Sequence, residues 1–132
     1  MTESVIVESM LPVTWRHTSM SMTIEWAPFT LADGVDEASL LRASEAVQAD
    51  FISQQRGFVR RDLLKGEHGQ WIDLLYWDSH EAAQQAMQNA ANSPVCLEYF
   101  QLLASMDDSD PAKGVLHFAV VRQYGAAVPN AA

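Results

Sequence analysis

The chain has 132 residues, 48% of them hydrophobic, and 17 acidic against 8 basic residues give it a formal net charge of -9. This length supports one hydrophobic core and leaves no room for a second domain. So few Lys and Arg residues argue against binding to nucleic acid or to an anionic membrane surface. The single cysteine, Cys96, excludes an internal disulfide and indicates a reducing cytoplasm, where we expect a buried and inert thiol.

The first half of the chain predicts a strand followed by a helix. We expect residues 1–19 to form an N-terminal extension, residues 20–124 the folded domain and residues 125–132 a flexible tail. The first strand covers 21–30, where Pro28 indicates an edge position or a strand end. Two acidic residues then suit the first turn of a helix that runs to about Gln55 and ends at Arg56-Gly57. One apolar stripe marks the buried face of this helix: Leu40, Ala43, Val47 and Phe51.

The second half predicts a hairpin, a broken helix and a last strand. Strands at 58–65 and 70–77 flank the connection 66–69, which has a glycine at each end. Asp78 and Ser79 both suit the N-cap of the next helix, and Ser93-Pro94 restarts it. Residues 107–111 form an acidic loop without the spacing of a calcium site. The final strand covers 115–122.

The order β-α-β-β-α-β predicts an α+β, ferredoxin-like domain, with two helices on one face of a four-stranded antiparallel sheet. The strand at 70–77 is apolar on both faces, whereas a half-exposed strand alternates apolar and polar residues. We expect one set to face the helices and the other to face a second copy of the sheet in a homodimer. The first set is Trp71, Asp73, Leu75 and Trp77, and the second is Ile72, Leu74 and Tyr76.

Residues 21–122 resemble the dimeric α/β-barrel superfamily, in particular the antibiotic-biosynthesis monooxygenases. The resemblance rests on Gln55-Arg56-Gly57-Phe58 and on the stretch from Trp71 to Ala82. It implies oxidation of an aromatic compound by molecular oxygen without metal or flavin. Related haem-degrading members use an Asn, a Trp and a His, of which only the Trp is matched, as Trp77. Ala27 stands at the Asn position and Phe100 near the His position, so haem degradation is disfavoured.

The resemblance places a pocket between the sheet and the helices. Trp77 is itself a catalytic candidate, and the period-2 geometry of strands adds Asp73 beside it. The parity of Ala27 adds Glu25 on the first strand, and His117 is a further candidate base. A base here would remove a phenolic or enolic proton and leave an anion that reacts with oxygen. A flat apolar ligand would be bound by the remaining candidates. These are Phe29, Arg60, Trp71, Met87, Tyr99 and Phe100.

Structural roles for these residues stay open beside the catalytic ones. Trp77 also suits a pocket wall, His117 a hydrogen-bonded core histidine, and both acids an ion pair with Arg60 or Arg61. The four histidines show no metal-ligand spacing. Two functions therefore remain: a cofactor-independent oxygenase acting on a small planar compound, or a non-catalytic dimeric module that binds such a compound or a protein partner.

Overall fold

A computed structural model describes residues 21–104 and 114–126. Its strands are β1 (Thr23–Leu31), β2 (Phe58–Lys65), β3 (Trp71–Trp77), β4 (Leu103–Ala104) and β5 (Leu116–Ala119). Its helices are α1 (Glu37–Asp50), α2 (His80–Ala90) and α3 (Pro94–Phe100), with a short 3-10 turn at Ile52–Gln54. The predicted α+β, ferredoxin-like fold is confirmed. The extension 1–19, the acidic loop 107–111 and the tail beyond 126 lie outside the described residues.

The sheet has the order β2-β3-β1, and the far side of β1 pairs with both β4 and β5. All of these pairings are antiparallel. The strand predicted at 115–122 is shorter, at Leu116–Ala119, and the two-residue β4 was not predicted because so short a segment has no period to detect. Glu25, the third residue of β1, pairs with Leu75 on β3 and with His117 on β5.

The two faces of β3 divide as predicted. Trp71, Asp73, Leu75 and Trp77 are buried, while the residues between them are only partly buried. The three apolar members of this buried set join a hydrophobic core shared with the helices, with further members at Phe29, Leu40, Val47, Ile52, Ala83, Ala86, Cys96 and Tyr99. Cys96 is buried as predicted, and burial raises the pKa of its thiol, which disfavours the reactive thiolate.

Each helix begins at a side-chain cap, which satisfies backbone N–H groups that have no partner within the helix. Asp36 accepts from the Ser39 N–H, Ser79 from the Ala82 N–H and Ser93 from the Cys96 N–H. The helix predicted to reach Gln55 ends earlier, at Asp50, because Phe51 leaves helical geometry with φ -133° and ψ -61°. None of the helices in the described ranges has the length and hydropathy needed to span a membrane.

Gly57 brings the start of β2 close to the start of α2. Its φ is +83°, and its carbonyl accepts a 2.8 Å hydrogen bond from the Asp78 N–H. A Cβ at this position would lie 2.5 Å from both the Ala82 Cβ and the Asp78 Oδ1. Glycine is therefore needed here for the backbone conformation and for space. This contact fixes the N-terminus of α2 against the sheet.

Candidate functional site

Three neighbouring strands bring Glu25, Trp77 and His117 together on the helix-facing side of the sheet. The Trp77 indole Nε1–H donates a 3.1 Å hydrogen bond to Glu25 Oε1. His117 Nε2 lies 3.7 Å from the same carboxylate oxygen. The antiparallel register places Glu25 directly opposite His117, so the backbone itself sets this approach. The structure thus brings together three of the four predicted catalytic residues.

Glu25 is the polar group of this cluster with the most altered acidity. Burial raises the pKa of Glu25 to about 7, and the negative charge of Asp73 adds to this effect, although the Trp77 hydrogen bond opposes it. The Glu25 and His117 side chains keep 14% and 19% of their surface exposed, whereas Trp77 keeps 2%. A carboxyl group that titrates near neutral pH and remains partly accessible can act as a general base.

His117 is held neutral at physiological pH. Burial lowers the pKa of its imidazole, and the positive charge of His80 lowers it further. The Nε2 atom is buried and has no hydrogen-bond partner within 21–104 and 114–126. A neutral imidazole nitrogen without a partner, close to a carboxyl oxygen, is able to accept a proton from it.

His80 is exposed and lies beside this cluster, although it was not among the predicted site residues. It is the first residue of α2, and its ring lies 5.5 Å from the His117 ring, centroid to centroid, at 90°. The two histidines are far apart in the chain, so no sequence motif predicts their contact. The predicted Ser79 N-cap, which places the start of α2, is the sequence feature that bears on this contact.

Asp73 is engaged in a closed polar network and is not available as a base. Arg61 donates to its two oxygens at 2.7 and 3.0 Å, and the Tyr99 hydroxyl donates a third hydrogen bond at 2.7 Å. The remaining Arg61 N–H groups donate to Tyr99 Oη, the Ser44 carbonyl and Gln48 Oε1. The Arg61 and Asp73 side chains are only 6% and 9% exposed. This is a buried structural ion pair.

Arg60 does not lie in the predicted pocket. It pairs with Tyr76 in the register and stacks over the Tyr76 ring at 5.2 Å, on the open face of the sheet, where it also binds Asp62 at 2.9 Å. The cause is a register shift between Phe58 and Arg60. A β-bulge inserts one residue and so reverses which side chains face the helices. Arg61, the next residue, takes the inward position.

The remaining predicted ligand-binding residues do not form one pocket. Phe29 and Trp71 stack on each other with centroids 6.3 Å apart, and both are buried. Trp71 lies six residues from Trp77 along β3, or roughly 20 Å at the usual strand rise. Tyr99 belongs to the Asp73 network, while Met87 and Phe100 are exposed on α2 and α3.

A groove of about 370 Å³ lies between α1 and β2, away from Glu25. Its lining residues are Ser44, Glu45, Gln48, Ala49, Ser53, Arg61 and Leu63. Arg61 is the only cation in that lining, and all five of its N–H donors already have acceptors. The groove therefore offers no free cation to an anionic ligand.

The described ranges contain no group of three or more His, Cys, Asp or Glu side chains that could hold a metal ion. The Glu25 cluster has two histidines and one carboxylate, but the second histidine contacts the first by its ring. The Glu25 cluster therefore supplies a carboxyl base, an indole N–H donor and two imidazole rings.

Comparison with solved structures identifies proteins of the same fold. SnoaB, described as a cofactor-independent oxygenase from Streptomyces nogalater, is 17% identical with a TM-score of 0.59, over 82% of this chain and 99% of that one. A putative antibiotic biosynthesis monooxygenase from Chloroflexus aurantiacus J-10-fl is 15% identical with a TM-score of 0.52, covering 80% and 98%. The protein NE2512 of unknown function from Nitrosomonas europaea is 12% identical with a TM-score of 0.57, covering 84% and 100%.

These likenesses establish a ferredoxin-like fold for this chain. No family model and no curated protein sequence matches it. Because one fold hosts many unrelated activities, the function has to be argued from the site.

Proposed function

We propose that this protein is a cofactor-independent monooxygenase that acts on a small planar hydrophobic or aromatic compound, with Glu25 as its general base. The single observation that carries the proposal is the Glu25 carboxyl group, with a pKa of about 7, hydrogen-bonded to Trp77 and close to His117. The likeness to SnoaB, described as a cofactor-independent oxygenase, supports the choice of molecular oxygen as oxidant and the absence of a metal or flavin requirement.

In the proposed reaction the ionised Glu25 removes a phenolic or enolic proton from the substrate. The resulting electron-rich anion transfers an electron to molecular oxygen, and recombination forms a carbon–oxygen bond. Loss of water from the hydroperoxide leaves a carbonyl group, so one oxygen atom enters the product and the other enters water. A base with a pKa near the operating pH suits the first step, because it is ionised often enough and still binds the proton well.

Trp77 has a supporting role in this proposal. Its indole is packed against Phe58 with centroids 5.7 Å apart, and its N–H holds the Glu25 carboxylate in one orientation. We therefore assign Trp77 to positioning the base and not to contact with oxygen. The network of Asp73, Arg61 and Tyr99 keeps a fixed negative charge near Glu25 and so helps to raise its pKa.

The test is oxygen uptake with the anthrone dithranol, a planar tricyclic compound with acidic phenolic and benzylic protons. We expect turnover by the wild-type protein and a loss of about 10²-fold or more in kcat for Glu25→Gln, the usual contribution of a general base. Glu67→Gln is the matched control, because Glu67 is exposed in the β2–β3 connection. Equal rates for the two variants, or no uptake by the wild type with anthrones and quinols, would contradict the proposal.

A non-catalytic binding module is the second candidate function. The close packing of Trp77 and the closed Asp73 network favour it, because both fill space that a substrate pocket would need. A module would quench tryptophan fluorescence on adding dithranol without consuming oxygen. Quenching together with uptake that depends on Glu25 would exclude it.

We further propose that the protein forms a homodimer through the open face of the sheet. This face carries several exposed apolar side chains, among them Leu116 at 50% and Phe118 at 51% exposure, beside Trp26 and Leu64. Burying one such side chain fully contributes about 1.5–3 kcal/mol. A second copy of the same sheet would cover the whole face in one interface.

Measuring the oligomeric state tests the proposed homodimer. Leu116→Asp should convert a dimer into a folded monomer in sedimentation velocity, with circular dichroism confirming the fold. Leu41→Asp is the matched control, because Leu41 is similarly exposed but lies on α1, on the opposite side of the sheet. A monomeric wild type, or a Leu116→Asp protein that stays dimeric, would refute the proposed interface.

A further inference from the structure

Glu25, His117 and His80 form a line of titratable groups from the interior to the surface. Glu25 lies on the central strand β1, His117 opposite it on β5, and His80 at the exposed start of α2. The Glu25 Oε1 to His117 Nε2 distance is 3.7 Å, and the two imidazole rings are 5.5 Å apart between centroids. Nothing in the proposed chemistry above requires His80, yet its ring completes this line.

We propose that His117 and His80 are a proton path that connects the base Glu25 with solvent, a role that rests on the proposed function. His117 takes the proton from Glu25, and His80 passes it to water. Both are positioning residues in this scheme, because neither contacts the substrate.

The proton balance is simple and needs no further reactant. The proton removed from the substrate sits on the Glu25 carboxyl oxygen and moves to His117 Nε2, which leaves Glu25 ionised and His117 as imidazolium. The other ring nitrogen of His117 then releases a proton to His80, and His80 releases one to water. The same path run in reverse returns a proton when water leaves the hydroperoxide, and molecular oxygen is the only oxidant.

The geometry of the pair supports this transfer. A distance of 3.7 Å exceeds a hydrogen bond, so the carboxyl group and ring must approach by about 0.5–1 Å, a tightening that catalytic contacts often undergo when substrate binds. The unpartnered Nε2 of His117 is the acceptor that such an approach requires. Among the described residues, the titratable groups that face the pair from neighbouring elements are His80 on α2 and Asp73 on β3. Burial disfavours a lasting imidazolium on His117, so the proton moves on to a neutral His80.

A first experiment measures the contact without any substrate, by ¹⁵N-histidine NMR titration. Glu25→Gln should change the ¹⁵N chemical shift of His117 Nε2, because it replaces the carboxyl group beside that nitrogen, whereas His80→Gln removes a positive charge and should raise the pKa of His117. His68→Gln should change neither, because His68 is exposed in the β2–β3 connection. If the His117 signal responds to neither Glu25→Gln nor His80→Gln, the path does not exist.

A second experiment uses dithranol oxidation and chemical rescue. His117→Gln and His80→Gln should lower kcat about 10-fold or more with KM unchanged, and added imidazole should restore a large part of the rate by carrying the proton in solution. His68→Gln should turn over like the wild type. Loss of rate that imidazole does not restore, or wild-type rates in both variants, overturns the path while leaving the proposed function intact. Absence of oxygen uptake by the wild type overturns the proposed function, and the catalytic role of the path with it.

Discussion

At the residue scale, the local environment separates two carboxylates that were equivalent candidates in sequence. Glu25 receives one hydrogen bond from an uncharged indole, whereas Asp73 receives three, two of them from Arg61. Hydrogen bonds and a nearby cation favour an ionised carboxylate, and burial without them disfavours it. The two acids therefore have different roles: Asp73 is structural and Glu25 is the candidate base.

Glu25→Gln should stabilise the fold at pH 8 and not at pH 4. The fold raises the pKa of Glu25 to about 7, so the native state binds the proton more tightly than the unfolded chain. The contribution of Glu25 to the free energy of unfolding is therefore fully present at low pH, below the ordinary pKa of 4.5. It is lost as the pH rises through about 7. Since one pKa unit corresponds to about 1.4 kcal/mol, the variant should gain a few kcal/mol at pH 8. Urea unfolding at the two pH values measures this difference, and a gain independent of pH would refute it.

Asp73→Asn should destabilise the protein by about 3–5 kcal/mol, because it leaves the buried Arg61 without its counter-charge. Glu37→Gln is the matched control. Glu37 pairs with Lys65 at 2.7 Å on the exposed surface, where an ion pair contributes about 0–1 kcal/mol. Urea denaturation of both variants at pH 7 gives the comparison. Similar losses for the two would mean that the Asp73 network does not stabilise the interior.

At the element scale, the sequence predicted most strands and helix starts but not the bulge in β2. The hairpin, the Ser79 and Ser93 caps and the two faces of β3 depend on local chemistry, which is readable along the chain. The bulge depends on how β2 packs against β3. With Arg60 and Arg61 adjacent in sequence, either could face inward, and only the register shift selects Arg61.

Gly57→Ala should cost more stability than Gly34→Ala. Both glycines have nearly the same φ, +83° and +82°, so the backbone cost of about 1–2 kcal/mol is shared. Only at Gly57 would the new Cβ collide, with Ala82 and Asp78. The excess loss therefore reports the close approach of β2 and α2. Thermal unfolding of the two variants measures it, and equal losses would show that α2 can move aside freely.

At the scale of the whole molecule, the fold was predictable and the site only in part. The order of elements and the apolar character of both faces of β3 were sufficient to predict the ferredoxin-like fold, which the comparison with solved structures supports. The contact between His80 and His117 was not predictable, because it joins a helix start to a strand through the packing of α2. Likewise, the burial that raises the Glu25 pKa is a property of the assembled core.

The pH dependence of dithranol oxidation tests the central claim most directly. If Glu25 is the base, kcat/KM in the wild-type protein should rise with pH and reach half of its maximum near the Glu25 pKa of about 7. Glu25→Gln should abolish this rise together with most of the rate, whereas Glu67→Gln should preserve both. A rate that does not depend on pH between 5 and 9, above the spontaneous oxidation measured without protein, would contradict the assignment of Glu25 as the base.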